Sequence, residues 1–201
     1  MRITGGRETG RKIKVPKGLD VRPTPDLVKQ AVFNSLGARV EGARLLELFA
    51  GSGALTLEAL SRGAASAVLV EKSGRTAAML RGNFLSVQIP ASQFDIRVQE
   101  AATAIQQLVA AGAKFDIIIA DPPYGEKNVN RRSTSFAQAL LDDEHLPKLL
   151  EGEGLFILGH TKRDTLEVPP VWEEMKRMKH GDTVMRFFRK LRAESDPGAL
   201  A

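Results

Sequence analysis

Apolar and polar positions along this chain follow two rhythms, and the switch between them repeats. Short leucine-rich or β-branched runs at Leu45–Phe49, Ala67–Val70, Phe94–Val98, Phe115–Ala120 and Gly154–Leu158 read as buried strands. Between them, Leu55–Arg62, Arg75–Leu85, Ala101–Ala111 and Phe136–Leu150 read as helices from their spacing. Gly63 and Gly112 supply two of the helix stops. An earlier helix is predicted to open at Thr24-Pro25-Asp26, with the threonine as cap and Pro25 in the first position. Leu27, Val28, Ala31, Val32 and Leu36 form its apolar face, and Gly37 ends it. Near the end the pattern changes. Val171–Met178 and Thr183–Leu191 flank a His180-Gly181-Asp182 turn and predict an antiparallel pair. Alternating strands and helices predict a parallel sheet covered on both faces. With the final hairpin added, the expected fold is α/β and Rossmann-like, on a mixed seven-stranded sheet.

Residues 1–24 stand apart from this alternation. They are rich in Gly, Lys and Pro, and the short alternating piece Arg11-Lys12-Ile13-Lys14-Val15 predicts a small β-hairpin ahead of a main domain spanning 25–192. Residues 193–201 are expected to form a frayed tail. A length of 201 residues with 43% hydrophobic and 26% charged content suits one soluble globular domain. No stretch approaches the roughly 18 apolar residues of a membrane span. The opening Met1-Arg2-Ile3-Thr4-Gly5-Gly6 lacks the apolar core of a secretion signal. The chain has no cysteine, which excludes disulfides, thiolate zinc sites and cysteine nucleophiles and fits a cytoplasmic protein. His145, His160 and His180 show no metal-ligand spacing, so no metal is expected. A monomer is the default expectation.

The net charge of +5 is unevenly placed. Residues 1–30 carry Arg2, Arg7, Arg11, Lys12, Lys14, Lys17, Arg22 and Lys29 against Glu8, Asp20 and Asp26, and the rest of the chain balances at zero. A localised basic patch of this kind attracts a polyanion through phosphate contacts and counterion release. The plainer alternative is a merely solubilising surface.

Candidate chemistry lies where two strands end. Asp121-Pro122-Pro123-Tyr124 follows the apolar run Phe115–Ala120, at the strand end where open α/β sheets bind ligands. A carboxylate or fixed carbonyl there can accept hydrogen bonds from the amino group of a flat ring, and the tyrosine can stack on the ring face. The prolines lock φ and remove two backbone donors. Taken alone, Asp-Pro-Pro is more often a simple turn. A second feature supplies context: Glu47-Leu48-Phe49-Ala50-Gly51-Ser52-Gly53-Ala54 joins the first sheet strand to its helix. Glycines there let backbone approach a ligand, and Glu71, twenty residues after Gly51, ends the next strand where an acid accepts from ribose hydroxyls. Together these features mean an adenosine-containing ligand. A dinucleotide loop would carry a third small residue where this chain has Thr56, and Glu47 would crowd a pyrophosphate. A cofactor with a cationic centre would welcome Glu47, which favours methyl transfer from S-adenosylmethionine over hydride transfer. Glu100 can accept from an adenine amino group or serve as an ordinary helix-start acid.

These residues resemble a known family. Glu47–Gly53 is similar to motif I of class I S-adenosylmethionine-dependent methyltransferases, and Asp121–Tyr124 to their amino-methylating motif IV. More specifically, Arg2-Ile3 with Gly5-Gly6, Gly10-Arg11-Lys12, Arg22-Pro23-Thr24, Leu48–Leu55, Glu58–Ala64 and Gly181-Asp182-Thr183 resemble the RsmD family over nearly the whole chain. The resemblance implies the class I methyltransferase fold and methylation of guanine N2 in 16S ribosomal RNA, with that RNA or the small ribosomal subunit as partner. It implies catalytic roles for Asp121, Pro122, Pro123 and Tyr124. It implies cofactor contacts from Glu47, Phe49, Ala50, Gly51, Ser52, Gly53, Glu71, Lys72, Glu100, Ala101 and Asp121. RNA contacts are expected from Arg2, Arg7, Arg11, Lys12, Lys14 and Arg22, and from Arg131 and Arg132 in the polar loop Gly125–Ser135. Glu100 departs from the aspartate more usual in such folds. Amino-methyltransferases of adenine or cytosine in DNA or other RNA share the two motifs. A small-molecule methyltransferase and a non-enzymatic RNA-binding protein are the remaining alternatives: the first has no need of the basic segment, the second no use for the acid-flanked glycine loop.

Overall fold

A computed structural model describes residues 1–15, 24–124, 127–128 and 131–191. Its elements in chain order are α1 (Asp26–Leu36), β1 (Arg44–Leu48), α2 (Ala54–Ser61), β2 (Ser66–Val70), α3 (Gly74–Val87), β3 (Phe94–Arg97), α4 (Ala101–Ala110), β4 (Phe115–Ala120), α5 (Phe136–Asp142), β5 (Leu150–Thr161), β6 (Trp172–His180) and β7 (Thr183–Lys190). The strands form one seven-stranded sheet in the order β3-β2-β1-β4-β5-β7-β6. Pairs from β3 across to β5 are parallel, and β7 runs antiparallel to both β5 and β6. This is the expected mixed α/β sheet.

The chain builds outward from β1 to β3 and then returns to add β4 on the other side, so the strand order reverses between β1 and β4. Loops leaving the carboxyl ends of two such strands diverge to opposite faces and leave a crevice. The β1–β4 register pairs Leu48 with Ala120, so Phe49–Gly53 and Asp121–Tyr124 emerge side by side at that crevice. Two apolar layers hold the sheet. One contains Val32, Phe33, Leu57, Leu60, Leu80 and Phe84 from α1, α2 and α3. The other contains Ile105, Leu108, Leu140 and Leu141 from α4 and α5, packed with Phe156 and Trp172.

The amino-terminal segment is tied into the first layer. Ile3 and Ile13 are buried there, and Ile3 N–H donates to Arg11 O at 3.0 Å while Ile13 N–H donates to Met1 O at 2.9 Å. The ladder is short, with Arg2 and Lys12 as its one bridged pair among the described residues. Beneath it, Glu58 is fully buried and accepts from Thr4 N–H at 2.7 Å, Thr4 Oγ1 at 2.8 Å and Arg62 Nε at 2.8 Å. Lys29 is also fully buried; its Nζ donates to the Arg2 carbonyl and lies 3.2 Å from Asp26 and 3.9 Å from Glu58. Lys29 therefore does not belong to the exposed basic surface with which its sequence position groups it.

Several boundaries differ from expectation for identifiable reasons. The helix expected over Phe136–Leu150 stops at Asp142, because Asp143 Oδ1 accepts from His145 N–H at 2.8 Å and Leu146 N–H at 2.9 Å. That side-chain turn competes with the helix, and Pro147 lies in the short 3-10 turn that follows. The next strand then starts at Leu150 and runs to Thr161, longer than Gly154–Leu158. At α1, Pro25 rather than Thr24 holds the cap position, and no side chain caps the helix. Thr24 bonds elsewhere, with consequences for the site. His180 belongs to β6, leaving Gly181 and Asp182 as a two-residue turn with Gly181 at φ +61°.

Candidate active site

The β1–α2 loop turns sharply. Phe49 has φ +59°, Gly51 +52° and Gly53 +73°. For phenylalanine this left-handed conformation is strained, which is common where backbone is shaped for a ligand. The two glycines are needed for different reasons. A Cβ on Gly53 would lie 2.8 Å from the Phe84 ring, so this glycine lets α2 start against α3. A Cβ on Gly51 would meet only Phe49 O, at 3.9 Å, so its free side faces open space. Ala50 N–H donates to Val70 O at 2.9 Å, and Ser52 O accepts from Asn83 Nδ2 at 2.9 Å, which pins the loop to its neighbours.

Beside it lies a cleft of about 210 Å³. Phe49, Val70, Ala101 and Pro123 give it apolar walls; Glu71, Lys72, Glu100 and Asp121 bring charge, and Gly51 completes the loop side. Glu71 is oriented by its own backbone surroundings: Oε2 accepts from Gly51 N–H at 3.0 Å and Oε1 from Ser73 N–H at 2.8 Å. Each oxygen keeps a lone pair for a further donor such as a ribose hydroxyl. Glu100 is exposed and lies 3.8 Å from Lys72 Nζ, at the start of α4 but without a capping bond. Lys72 also sits over the Phe136 ring, 5.8 Å from its centroid, and Phe136 packs on Phe49 at 5.4 Å.

Glu47 does not line this cleft. Its side chain is 3% exposed, and Oε2 accepts from Thr56 N–H at 3.0 Å and Thr56 Oγ1 at 2.5 Å. The threonine that takes the place of a third small residue is thus the partner of the acid before the loop. Burial raises the Glu47 carboxyl to about 8 against these bonds, with the Asp121 and Glu71 charges adding to the rise. Glu47 therefore shapes the site from behind, by holding Thr56 in the first turn of α2.

At the tip of β4, the Asp121 carboxyl is held from a distance. Oδ2 accepts from Thr24 Oγ1 at 2.5 Å, while Oδ1 is buried without a hydrogen-bond partner. A Cβ on Gly159 of β5 would lie 2.3 Å from Oδ1, so only glycine leaves room for this carboxyl. Burial pushes its pKa up, and the Thr24 hydroxyl opposes that shift. Pro122 is buried and Pro123 exposed. Tyr124 is 39% exposed, and its hydroxyl lies 2.7 Å from Thr183 Oγ1 at the start of β7. The ring therefore presents a face at the edge of the crevice while its far end is fixed.

The basic surface is divided. Arg2, Arg7, Arg11, Lys12 and Lys14 are all exposed; Arg2 lies 3.7 Å from Asp26 and Arg11 3.2 Å from Glu8. Arg22 and Lys17 lie outside the described residues. Arg131 is exposed, but Arg132 is already engaged, with Asp142 at 2.7 Å and with Glu167. Two carboxylates on one guanidinium leave it little charge to offer a phosphate, which corrects the expectation for Arg132. Thr24 and Thr183 entered the sequence reading only as members of family-like runs, Arg22-Pro23-Thr24 and Gly181-Asp182-Thr183, and not as site residues. Gly159, a glycine inside a strand, carried only the general signal of close backbone approach.

The family described as conserved hypothetical protein 95 matches residues 1–189. Ribosomal RNA small subunit methyltransferase D of Escherichia coli K12 is 32% identical over 98% of this chain and 93% of its own. The chain belongs to the RsmD family. A Bacillus subtilis member, YlbH, provisionally named an rRNA methyltransferase, is 31% identical over 84% of this chain and 86% of its own. The solved structure of a hypothetical protein from Thermus thermophilus superposes with a TM-score of 0.76 at 30% identity, covering 95% of this chain and 99% of that one. Membership of the RsmD family makes the chain a methyltransferase that uses S-adenosylmethionine. The open side of Gly51, the spare lone pairs of Glu71 and the apolar cleft walls suit the adenosine part of that cofactor. Among the described residues no three His, Cys, Asp or Glu side chains group as a metal site, and no helix is long and apolar enough to cross a membrane.

Proposed function

We propose that this chain transfers a methyl group from S-adenosylmethionine to the exocyclic N2 of a guanine in 16S ribosomal RNA, acting in the cytoplasm on the small ribosomal subunit. One observation carries the reading: the Asp121 carboxyl and the Tyr124 ring lie one strand away from the glycine loop, in register across β1 and β4. The relatives named for the small-subunit ribosomal RNA supply the substrate class.

When bound, the cofactor supplies an electrophilic methyl carbon on a sulfonium. Glu71 accepts from ribose hydroxyls, Glu100 reaches the adenine amino group, and Phe49, Ala101 and Pro123 enclose the ring. Asp121 and the Pro122 carbonyl accept from the N2–H groups of guanine, which localises the nitrogen lone pair. As the N–C bond forms and the C–S bond breaks, the Asp121 carboxylate stabilises the positive charge growing on N2. It then takes the released proton, or passes it to water. Tyr124 stacks on the base and sets the line of approach, so much of the acceleration is orientational. Arg2, Arg7, Arg11, Lys12 and Lys14 engage phosphates on the amino-terminal flank, with Arg131 in the polar loop.

The test is transfer of labelled methyl to small-subunit particles, naked 16S rRNA, DNA and free nucleosides, with the product nucleoside mapped. Label in guanine N2 of the particle or the rRNA is expected. Label confined to DNA would favour the amino-methyltransferase of another nucleic acid, and label confined to nucleosides would make the basic surface irrelevant.

A further inference from the structure

The contact between Thr24 and Asp121 spans 97 residues and joins the chain just before α1 to the tip of β4. Its hydroxyl is the one hydrogen-bond donor to the Asp121 carboxyl among the described residues. The packing on its other side leaves that carboxyl dry. Gly159 of β5 presents no side chain to Oδ1, and the Met185 thioether of β7 lies against the same spot. Glu47, on the neighbouring β1, is engaged with Thr56. Tyr124, on the same segment, directs its hydroxyl to Thr183. Glu71 and Lys72 stand across the cleft, of opposite sign.

We propose that Thr24 is a positioning residue for the methyl-transfer reaction, its hydroxyl orienting the Asp121 carboxylate and keeping it ionised until the amino group of the base arrives. This rests on the methyltransferase reading above. The physical reason is that a dehydrated carboxylate with one oxygen unpartnered is costly, and it relieves the cost by taking up a proton. A protonated Asp121 can neither stabilise positive charge on the nitrogen nor accept its proton. One donated hydrogen bond to the charged form opposes that protonation. The donor also stands just before α1, whose Asp26 and Lys29 contact Arg2 of the basic hairpin, so the surface that engages RNA and the group that meets the base are joined through that helix. When the amino group arrives, Oδ1 is the acceptor left open for it, and Thr24 retains Oδ2.

The experiment compares wild type, Thr24→Val and Thr24→Ser in methyl transfer to the RNA substrate across pH, separating kcat from KM, with cofactor affinity and thermal melting measured in parallel. Valine keeps the shape and removes the hydroxyl. Losing a hydrogen bond to a buried charge should lower kcat roughly 10- to 100-fold near neutral pH. Because that loss raises the Asp121 pKa, the acid limb of the kcat profile should move to higher pH, and the deficit should shrink in alkaline buffer. Cofactor affinity and RNA KM should stay within about twofold, and Thr24→Ser should restore the wild-type profile. A purely structural role would lower activity equally at every pH and would show in the melting temperature. A Thr24→Val enzyme with wild-type kcat at all pH values, or one with a pH-independent deficit, overturns the assignment. A wild-type enzyme inactive on RNA overturns the function instead, and the two failures are distinct.

Discussion

The two halves of the site are held together by contacts of different reach. On the cofactor side, Glu47 meets Thr56 nine residues on, and Glu71 meets Gly51 and Ser73 at separations of twenty and two. On the acceptor side, Asp121 is held by Thr24 at a separation of 97, and Tyr124 by Thr183 at 59. The cofactor half is built within one stretch of chain, from β1 through α3, its longest internal hydrogen bond being Asn83 to Ser52 at a separation of 31. The acceptor half is complete only when α1, β5 and β7 are all docked. A local site can keep its geometry while its surroundings vary; a site built from distant elements registers change in any of them. On the proposed function, that asymmetry suits a common cofactor and a particular target.

Substitutions on the two sides should separate these properties. The largest effect is expected from Asp121→Ala, which should cut methyl transfer roughly 10²- to 10³-fold while cofactor affinity, read by calorimetry, stays within a few-fold. Joint loss of both would erase the distinction between the halves. Gly159→Ala sharpens it from a residue that touches no ligand. Its Cβ needs space the Asp121 carboxyl occupies, so transfer should fall about 10- to 100-fold with cofactor binding retained. Full activity in that variant would mean the carboxyl has another place to go.

How much of this was legible beforehand follows the same division. The glycine loop, Glu71 and the Asp-Pro-Pro-Tyr segment could be read because each is a short run following a recognisable strand. The mixed sheet was readable from periodicity together with the His180-Gly181-Asp182 turn, although its strand order was not. Thr24 was misread as a helix cap because its local context, a threonine before proline and aspartate, is that of a cap; a contact 97 residues away overrode it. Arg132 looked like a phosphate ligand until Asp142 and Glu167 proved to hold it. Lys29 counted as surface charge, yet it sits between Asp26 and Glu58. In each case the charge or hydroxyl was visible and its partner was not.

Two smaller effects complete the contrast. Neutralising Arg11, Lys12 and Lys14 together should flatten the salt dependence of RNA binding by about two log units per log unit of salt, whereas Arg132→Ala should leave it unchanged. An equal response from Arg132 would restore the loop to the interface. The smallest change concerns Glu47. Its folded carboxyl titrates at about 8, well above its ordinary range, so between those values the folded state holds a proton that the unfolded chain has lost. Stability contributed by this group therefore declines as pH rises through that window. Glu47→Gln should remove that part of the decline, read as melting temperatures at mildly acidic and mildly alkaline pH, with a difference of about 2–4 °C per kcal/mol. Parallel curves for the two proteins would mean that Glu47 is ionised throughout.

The burial of Lys29 and Glu58 under the first fifteen residues bears on how this enzyme could be re-engineered. Ile3, Ile13 and the Thr4 bonds to Glu58 make the basic hairpin one wall of the molecule's interior. Removing it would strand a cation and an anion at a raw apolar surface, and grafting another segment in its place would mean redesigning α1 and α2 as well. On the proposed function, the phosphate-gripping surface of this scaffold is welded to its folding, which leaves little room for exchanging it by cut and paste.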